Sequence, residues 1–267
     1  MSNLIKTAEE LLQNKKVNLV IGYEKGTGSK TRPVFIRKTE EASKLVFDPE
    51  MSQNLAVYLL RPEVKKAGKT AFVATVPALR SMLQLASECQ IKDRDLIAIY
   101  VKDDQNTLLF EDFKSVETFL ETASTGFKPE EQELLSKLLA MSTQERFSFW
   151  TTEFEKCIKC YACRAACPMC YCHRCTTECN QPQWIAPASH PLGVLEWHLM
   201  RAMHLTGRCV NCGECATACP VGIPLNLLTY SMMESMEAEF GTKPGMKADT
   251  KYALSVYKPE DKESFIL

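Results

Sequence analysis

Thirteen cysteines punctuate this 267-residue chain, and twelve of them fall between positions 157 and 219. The first run reads Cys157-Ile-Lys-Cys160-Tyr-Ala-Cys163-Arg-Ala-Ala-Cys167-Pro168, and the second reads Cys209-Val-Asn-Cys212-Gly-Glu-Cys215-Ala-Thr-Ala-Cys219-Pro220. Both follow C-x-x-C-x-x-C-x-x-x-C-P, the spacing with which thiolates hold a pair of [4Fe–4S] clusters, the fourth cysteine of each run ligating the other cluster. Three close thiolates wrap the corners of one cubane, and the proline sends the fourth towards its neighbour. The spacing therefore predicts Cys157, Cys160, Cys163 and Cys219 at one cluster, and Cys209, Cys212, Cys215 and Cys167 at the other.

Disulfides and structural zinc are the plainer alternatives. Disulfides need an oxidising compartment, and the polar start Met-Ser-Asn-Leu-Ile-Lys-Thr-Ala-Glu-Glu lacks the apolar core of a secretory signal. Zinc ribbons use paired C-x-x-C knuckles instead of two four-cysteine runs that each end in Cys-Pro. Between the runs lie four more thiols, Cys170, Cys172, Cys175 and Cys179, with His173 among them. Three readings stay open for these: a third [4Fe–4S] cluster, a zinc site, or packed thiols beside the first two clusters.

The elements that must position these residues can be read in chain order. Leu4, Ile5, Ala8, Leu11 and Leu12 recur at helical spacing, and Val17–Ile21 and Pro33–Arg37 read as strands. A short helix is expected around Asn54–Leu60. Thr70–Val76, a helix opened by Pro77 with Leu79, Met82, Leu83, Ala86 and Cys89 on its apolar stripe, and Asp95–Val101 form a βαβ unit. That unit argues for a mostly parallel sheet, and Cys89 reads as a small buried hydrophobe. Residues 111–141 turn helical, with a break at Ser124-Thr-Gly126. Ser142-Thr-Gln-Glu145 is a capping-box signature, opening a helix whose Phe147, Trp150, Phe154 and Ile158 read as core packing and which delivers the chain to Cys157.

Residues 191–207 read as a helix with Leu192, Leu195, Leu199 and Met203 as its buried stripe. Trp197, Arg201, His204 and Arg208 fall on another face. That face is either solvated or turned to a cluster, where a cation favours the reduced form and raises the potential. Pro224–Phe240 reads as a further helix, and Gly241–Leu267 as a tail laid over the rest. The expected architecture is an α/β domain over 1–125, a helical connector over 126–156, and a helical dicluster ferredoxin-type domain over 157–267.

Hydrophobic residues make up 45% of the chain and the formal net charge is −1. That balance gives no general attraction to nucleic acid or to an anionic membrane surface, and no apolar run approaches a membrane span. Many thiols without export point to the reducing cytoplasm of an anaerobe. Gly22-Tyr-Glu-Lys-Gly26-Thr-Gly28 invites a nucleotide-loop reading but has neither G-x-G-x-x-G nor a G-K-[ST] ending. Val76-Pro77 offers a helix start to a phosphate, without the glycine that close approach favours.

Arg146-Phe-Ser-Phe-Trp150 leading into Cys157–Arg164, then Cys167-Pro-Met-Cys-Tyr-Cys172, resembles the iron–sulfur β-subunit family of formate dehydrogenases, deazaflavin-linked hydrogenases and heterodisulfide-reductase-type complexes. Gly207–Pro224 resembles the second cluster motif of the same group. Val17–Arg37 and Ala71–Tyr100 are similar to that family's α/β domain, which holds FAD in some members. The resemblance implies a subunit that passes single electrons between the partner subunits of a cytoplasmic oxidoreductase complex. Two other functions stay open: a flavin-dependent reductase using its own N-terminal domain, and an iron–sulfur redox sensor. The chain shows no nucleophile–base pair or open metal site for transforming a substrate by itself.

Overall fold

The computed structural model of the chain describes residues 3–28, 30–48, 53–103, 105–123, 127–179, 181–251 and 259. A five-stranded sheet organises the first half: β1 (Leu19–Lys25), β2 (Thr31–Ile36), β3 (Thr70–Ala74), β4 (Leu96–Asp103) and β5 (Asn106–Phe110), in the order β2-β1-β3-β4-β5. The central strand β3 is buried along its whole length, as an apolar run flanked on both edges must be. It pairs parallel with β1 and with β4, in register from Thr70↔Leu96 to Ala74↔Tyr100. The two outer pairs, β1/β2 and β4/β5, are antiparallel. The sheet is therefore mixed, and the expectation of a mostly parallel one is corrected at both edges. The reason is local at each: short turns close two hairpins, and a chain that reverses within a few residues can only return antiparallel.

The Gly22–Gly28 segment belongs to the first of these hairpins. Gly22 lies inside β1, and Gly26 N–H donates to the Lys30 carbonyl at 2.8 Å to close the turn. The second hairpin was not signalled by the sequence. Asp103 organises it, accepting hydrogen bonds from the backbone of Gln105 and the side chain of Asn106.

Helix α1 (Asn3–Gln13) buries Leu4, Ala8 and Leu11, the stripe its spacing predicts. The short α2 (Pro62–Ala67) precedes β3, and a single 3₁₀ turn covers Leu55–Tyr58 where a helix was expected. Helix α3 (Val76–Ser87) completes the βαβ unit, with the Thr75 hydroxyl capping Ala78 N–H. Every residue of α3 from Ala78 to Leu85 is buried, including Arg80, Ser81 and Gln84. A helix buried all round is one with structure on more than one side, and its polar residues show what lies there. Ser81 accepts from Asn54 Nδ2 at 2.9 Å; Arg80 Nη2 donates to the Pro244 carbonyl at 2.8 Å; Gln84 Oε1 accepts from Gly245 N–H at 2.9 Å. The described start of the C-terminal tail thus lies against α3, as the sequence anticipated. Gly245 sits at φ 71°, and a Cβ there would fall 2.3 Å from the Arg80 carbonyl oxygen, so only glycine permits this contact. Most of the remaining tail, and the expected break at 124–126, lie outside the described residues.

Cys89 follows α3 and is exposed, correcting the expectation of a buried thiol. It takes a positive φ of 57° just past the helix end, which turns it away from the stripe it would have joined.

Helix α4 (Phe113–Leu120) leads to α5 (Pro129–Ala140) and α6 (Thr143–Glu155). At the start of α6 the Ser142 hydroxyl accepts from Glu145 N–H, and Glu145 returns to Ser142 N–H, the capping box its sequence spells. The second half then carries α7 (Ala162–Ala165), α8 (Pro191–Leu205), α9 (Glu214–Thr217) and α10 (Leu225–Phe240). It is joined to α3 by apolar contacts among Leu85, Met169 and Leu205. A half-buried ion pair reinforces them: Arg208 Nη2 to Glu88 at 2.6 Å, with the Tyr171 hydroxyl donating to the same carboxylate at 2.7 Å.

Two expected apolar faces are turned otherwise. In α6, Phe154 is buried and Trp150 half-buried, but Phe147 is 51% exposed, and Ile158, past the end of the helix, is 60% exposed. In α8 the reversal is larger. Leu192, Leu199 and Met203 are 60%, 43% and 60% exposed, whereas Trp197, His198 and Arg201 are buried.

Candidate metal centres

The two cysteine runs fold into the same loop twice. Between Cys157 and Cys163, Lys159 and Tyr161 take positive φ angles of 52° and 58°; between Cys209 and Cys215, Asn211 and Gly213 take 54° and 78°. Left-handed residues at matching places bend the backbone so that its amides turn inward. Lys159 N–H points at Cys157 Sγ at 3.3 Å, and Asn211 N–H at Cys209 Sγ at 3.4 Å. Each loop runs into a one-turn helix, α7 or α9, and leaves through Cys-Pro. After Cys219, Ile223 N–H points back at its sulfur at 3.4 Å. Amides aimed at sulfur favour the thiolate form that an iron cluster requires.

The structure brings cysteines of the two runs together. Cys219, from the second run, lines a cavity with Cys157, Cys160 and Cys163 of the first. Tyr161, Trp197 and His198 close its wall. In the other set, burial raises the thiol pKa of Cys212, and the thiolates of Cys167, Cys209 and Cys215 close by raise it further. Cys215 is pushed up to about 12 by burial, opposed by Arg201. Burial raises Cys209, Cys212 and Cys215 alike, a poor arrangement for the apoprotein and a suitable one for a cationic iron cluster, whose metal charge compensates the thiolates. Among the described residues no group of three or more His, Cys, Asp or Glu side chains is disposed to hold a metal ion. The first set lines the wall of its cavity instead, as a bulky cluster with one thiolate per iron demands. The donor chemistry of both sets fits [4Fe–4S].

The inserted thiols are split. Cys170 is turned towards Cys167, and its thiol hydrogen bond draws the Cys167 pKa down to about 6. Arg201 also faces this pair. Cys172 and Cys179 are exposed, as is His173, while Cys175 is half-buried with its Sγ 3.0 Å from the Thr177 hydroxyl. Arg164 braces this insertion, donating to the Cys172 carbonyl and pairing with Glu178 at 3.1 Å.

Of the polar residues weighed on α8, the structure separates three roles. Arg208 is committed to Glu88; His204 is exposed; Arg201 is buried among cysteines and donates to the Cys163 carbonyl at 3.1 Å. The sequence reading passed over His198. It is buried, stacked on Phe154 with ring centroids 4.5 Å apart, and neither ring nitrogen has a hydrogen-bond partner. Its signal was its position three residues before Arg201, hence on the same helix face. Lys159, also unremarked, is buried and donates to the Ala186 carbonyl. Arg80 of α3 stands near Cys209 and Cys212, bringing the N-terminal half up to the second set.

This duplicated loop defines a class, and residues 204–224 match the 4Fe-4S binding domain family. Two curated relatives are more particular. The chain is 34% identical over 97 residues to the F420-dependent formate dehydrogenase subunit beta of Methanocaldococcus jannaschii, covering 36% of this chain and 25% of that one. It is 33% identical over 105 residues to the F420-dependent formate dehydrogenase 1 subunit beta of Methanococcus maripaludis, covering 39% and 26%. The chain thus spans about a quarter of the length of the curated relatives it matches. These findings support the resemblance to an iron–sulfur β-subunit family. Among the described residues no helix is long and apolar enough to cross a membrane.

Proposed function

We propose that the chain is an iron–sulfur electron-transfer subunit that relays single electrons between partner subunits of a cytoplasmic oxidoreductase complex. Cys157, Cys160, Cys163 and Cys219 would hold one [4Fe–4S] cluster, and Cys209, Cys212, Cys215 and Cys167 the other. A bound cluster supplies a site that accepts and releases one electron without a substrate bond being made or broken. The residues do the rest: amides of Lys159, Asn211 and Ile223 point at the sulfurs of Cys157, Cys209 and Cys219, and Cys163 and Cys215 are buried from water. The observation that carries the reading is the crossing of the fourth cysteine, with Cys219 beside Cys157, Cys160 and Cys163. The relatives are subunits of formate dehydrogenases by name, which supports partners of the same kind here.

Iron and acid-labile sulfide counts on anaerobically prepared protein test this. Two cubanes give about eight irons per chain, and Cys219→Ser should remove about four of them, from the cluster of the first run. A metal content dominated by zinc overturns the reading. The same count decides the inserted thiols: about twelve irons, falling by about four in Cys175→Ser, would place a third cluster on Cys170, Cys172, Cys175 and Cys179.

A further inference from the structure

Helix α8 buries His198 and Arg201 beside Val194, Trp197 and Leu205, while Leu192, Leu199 and Met203 face out. A soluble helix does this only where the buried side offers something better than hydrocarbon for a cation and an imidazole to meet. His198 is 2% exposed and Arg201 5% exposed, one turn apart on the same face. His198 lines the cavity with Cys157, Cys160, Cys163 and Cys219. Both its ring nitrogens lack a partner, and so does Arg201 Nε. Buried donors without acceptors are costly, so such groups call for a ligand. Arg201 faces both sets at once, with Cys167, Cys170 and Cys215 on one side and Cys163 on the other.

We propose that His198 and Arg201 set the reduction potentials of the two clusters, His198 by donating its ring N–H to the cluster of the first run, and Arg201 by holding a fixed positive charge between both. This rests on the two-cluster reading above. The physics is electrostatic: reduction adds one electron and hence one negative charge, and a nearby cation or N–H dipole stabilises that charge more than it stabilises the oxidised form. The electron comes from an external one-electron reductant, and no proton accompanies it. An imidazole carries at least one ring N–H in either protonation state, so His198 has a hydrogen to donate from the cavity wall. Arg201 donates to the Cys163 carbonyl, and a guanidinium keeps its positive charge throughout the ordinary pH range. The two residues therefore act differently, one on a single cluster and one on both.

Redox titration of the full chain, followed by electron paramagnetic resonance with iron counted in parallel, separates these roles. Arg201→Met should lower the midpoints of both clusters, each reduction equilibrium constant falling at least tenfold, which is 59 mV for a one-electron couple. Arg201→Lys should restore most of the loss. His198→Phe keeps the stack on Phe154 and removes the donor, so it should lower only the first cluster's midpoint, by less than Arg201→Met does. Unchanged midpoints with wild-type iron content overturn the proposal, as does an Arg201→Lys variant shifted as far as Arg201→Met. Should Arg201→Met lose iron, Arg201→Lys and His198→Phe still decide it: a first-cluster shift confined to His198→Phe supports it, and none refutes it. Wild-type protein that holds no iron–sulfur cluster would sink the underlying two-cluster reading instead.

Discussion

The two cysteine loops share a backbone and differ in what surrounds them. Around the first, Cys160 and the neighbouring Ile158 are exposed, and the support comes from aromatic rings: Trp150 stacks on Phe154, Phe154 on His198, and Tyr161 meets Trp197 edge-on at 4.9 Å. None of Cys167, Cys209, Cys212 and Cys215 is exposed, and the second loop is held by charge and by the N-terminal half, through Arg80, Glu88 and Arg208. One loop thus has an exposed rim, and the other is set against the N-terminal half. The duplicated motif repeats the backbone, and the unequal packing gives the two copies different neighbours.

The comparison is broken most severely by removing the aromatic prop. Phe154 is 2% exposed and lies between Trp150 and His198. Phe154→Ala should cost about 4 kcal/mol, as large-to-small changes at buried aromatic positions do. Denaturant unfolding measures the total. The sharper reading is in the distribution: hydrogen exchange should rise over α6 and the first loop and leave 209–215 protected. Equal loss of protection in both loops would mean that the two copies form one cooperative unit.

The next largest effect strikes the other side. Arg208, Tyr171 and Gln84 all donate to the Glu88 carboxylate. Burial pushes the Glu88 pKa up, and these three outweigh it, leaving the carboxyl below its ordinary 4.5. Glu88→Gln strands the Arg208 cation and should cost about 3 kcal/mol. Because the folded pKa is the lower one, this stability is fully present above the ordinary value and fades only as pH falls through the folded one. The penalty of Glu88→Gln should accordingly be flat from about pH 8 to about pH 6 in urea titrations. A penalty that shrinks within that range would show that the carboxylate is not held by the pair.

Much of this was legible in the sequence, for reasons that differ by region. The repeated loop is a matter of spacing along a short segment, and Cys219 lines one cavity with Cys157, Cys160 and Cys163. The β3–α3–β4 unit and the Ser142–Glu145 cap are also local patterns and appear where they were read. The facing of α8 was not legible, because apolar periodicity assumes that the inside is hydrocarbon. Here the inside mixes cysteines with apolar side chains, and Arg201 goes in while Leu199 comes out. The β5 edge strand was missed for a related reason: Leu108 and Leu109 are both about 40% exposed, giving no alternation of buried and solvated positions to read.

The smallest expected effect tests the likeness of the two loops itself. Gly213 and Tyr161 occupy the same left-handed position, at φ 78° and 58°. The second loop uses glycine there, and the first tolerates a tyrosine whose ring packs on Trp197. A Cβ on Gly213 would meet no atom within 4 Å, so Gly213→Ala probes backbone conformation alone. The left-handed cost for an L-residue is about 1 kcal/mol, and that should be the whole penalty, with iron content unchanged. Tyr161→Gly relieves the same strain but gives up the aromatic contact, worth about 1 kcal/mol beyond area burial, and the buried area with it. Thermal unfolding of the two variants side by side should therefore show both destabilised, Tyr161→Gly through lost packing and Gly213→Ala through left-handed backbone strain. A Tyr161→Gly variant more stable than the parent would mean that the ring on Trp197 contributes nothing and that the first loop carries uncompensated strain.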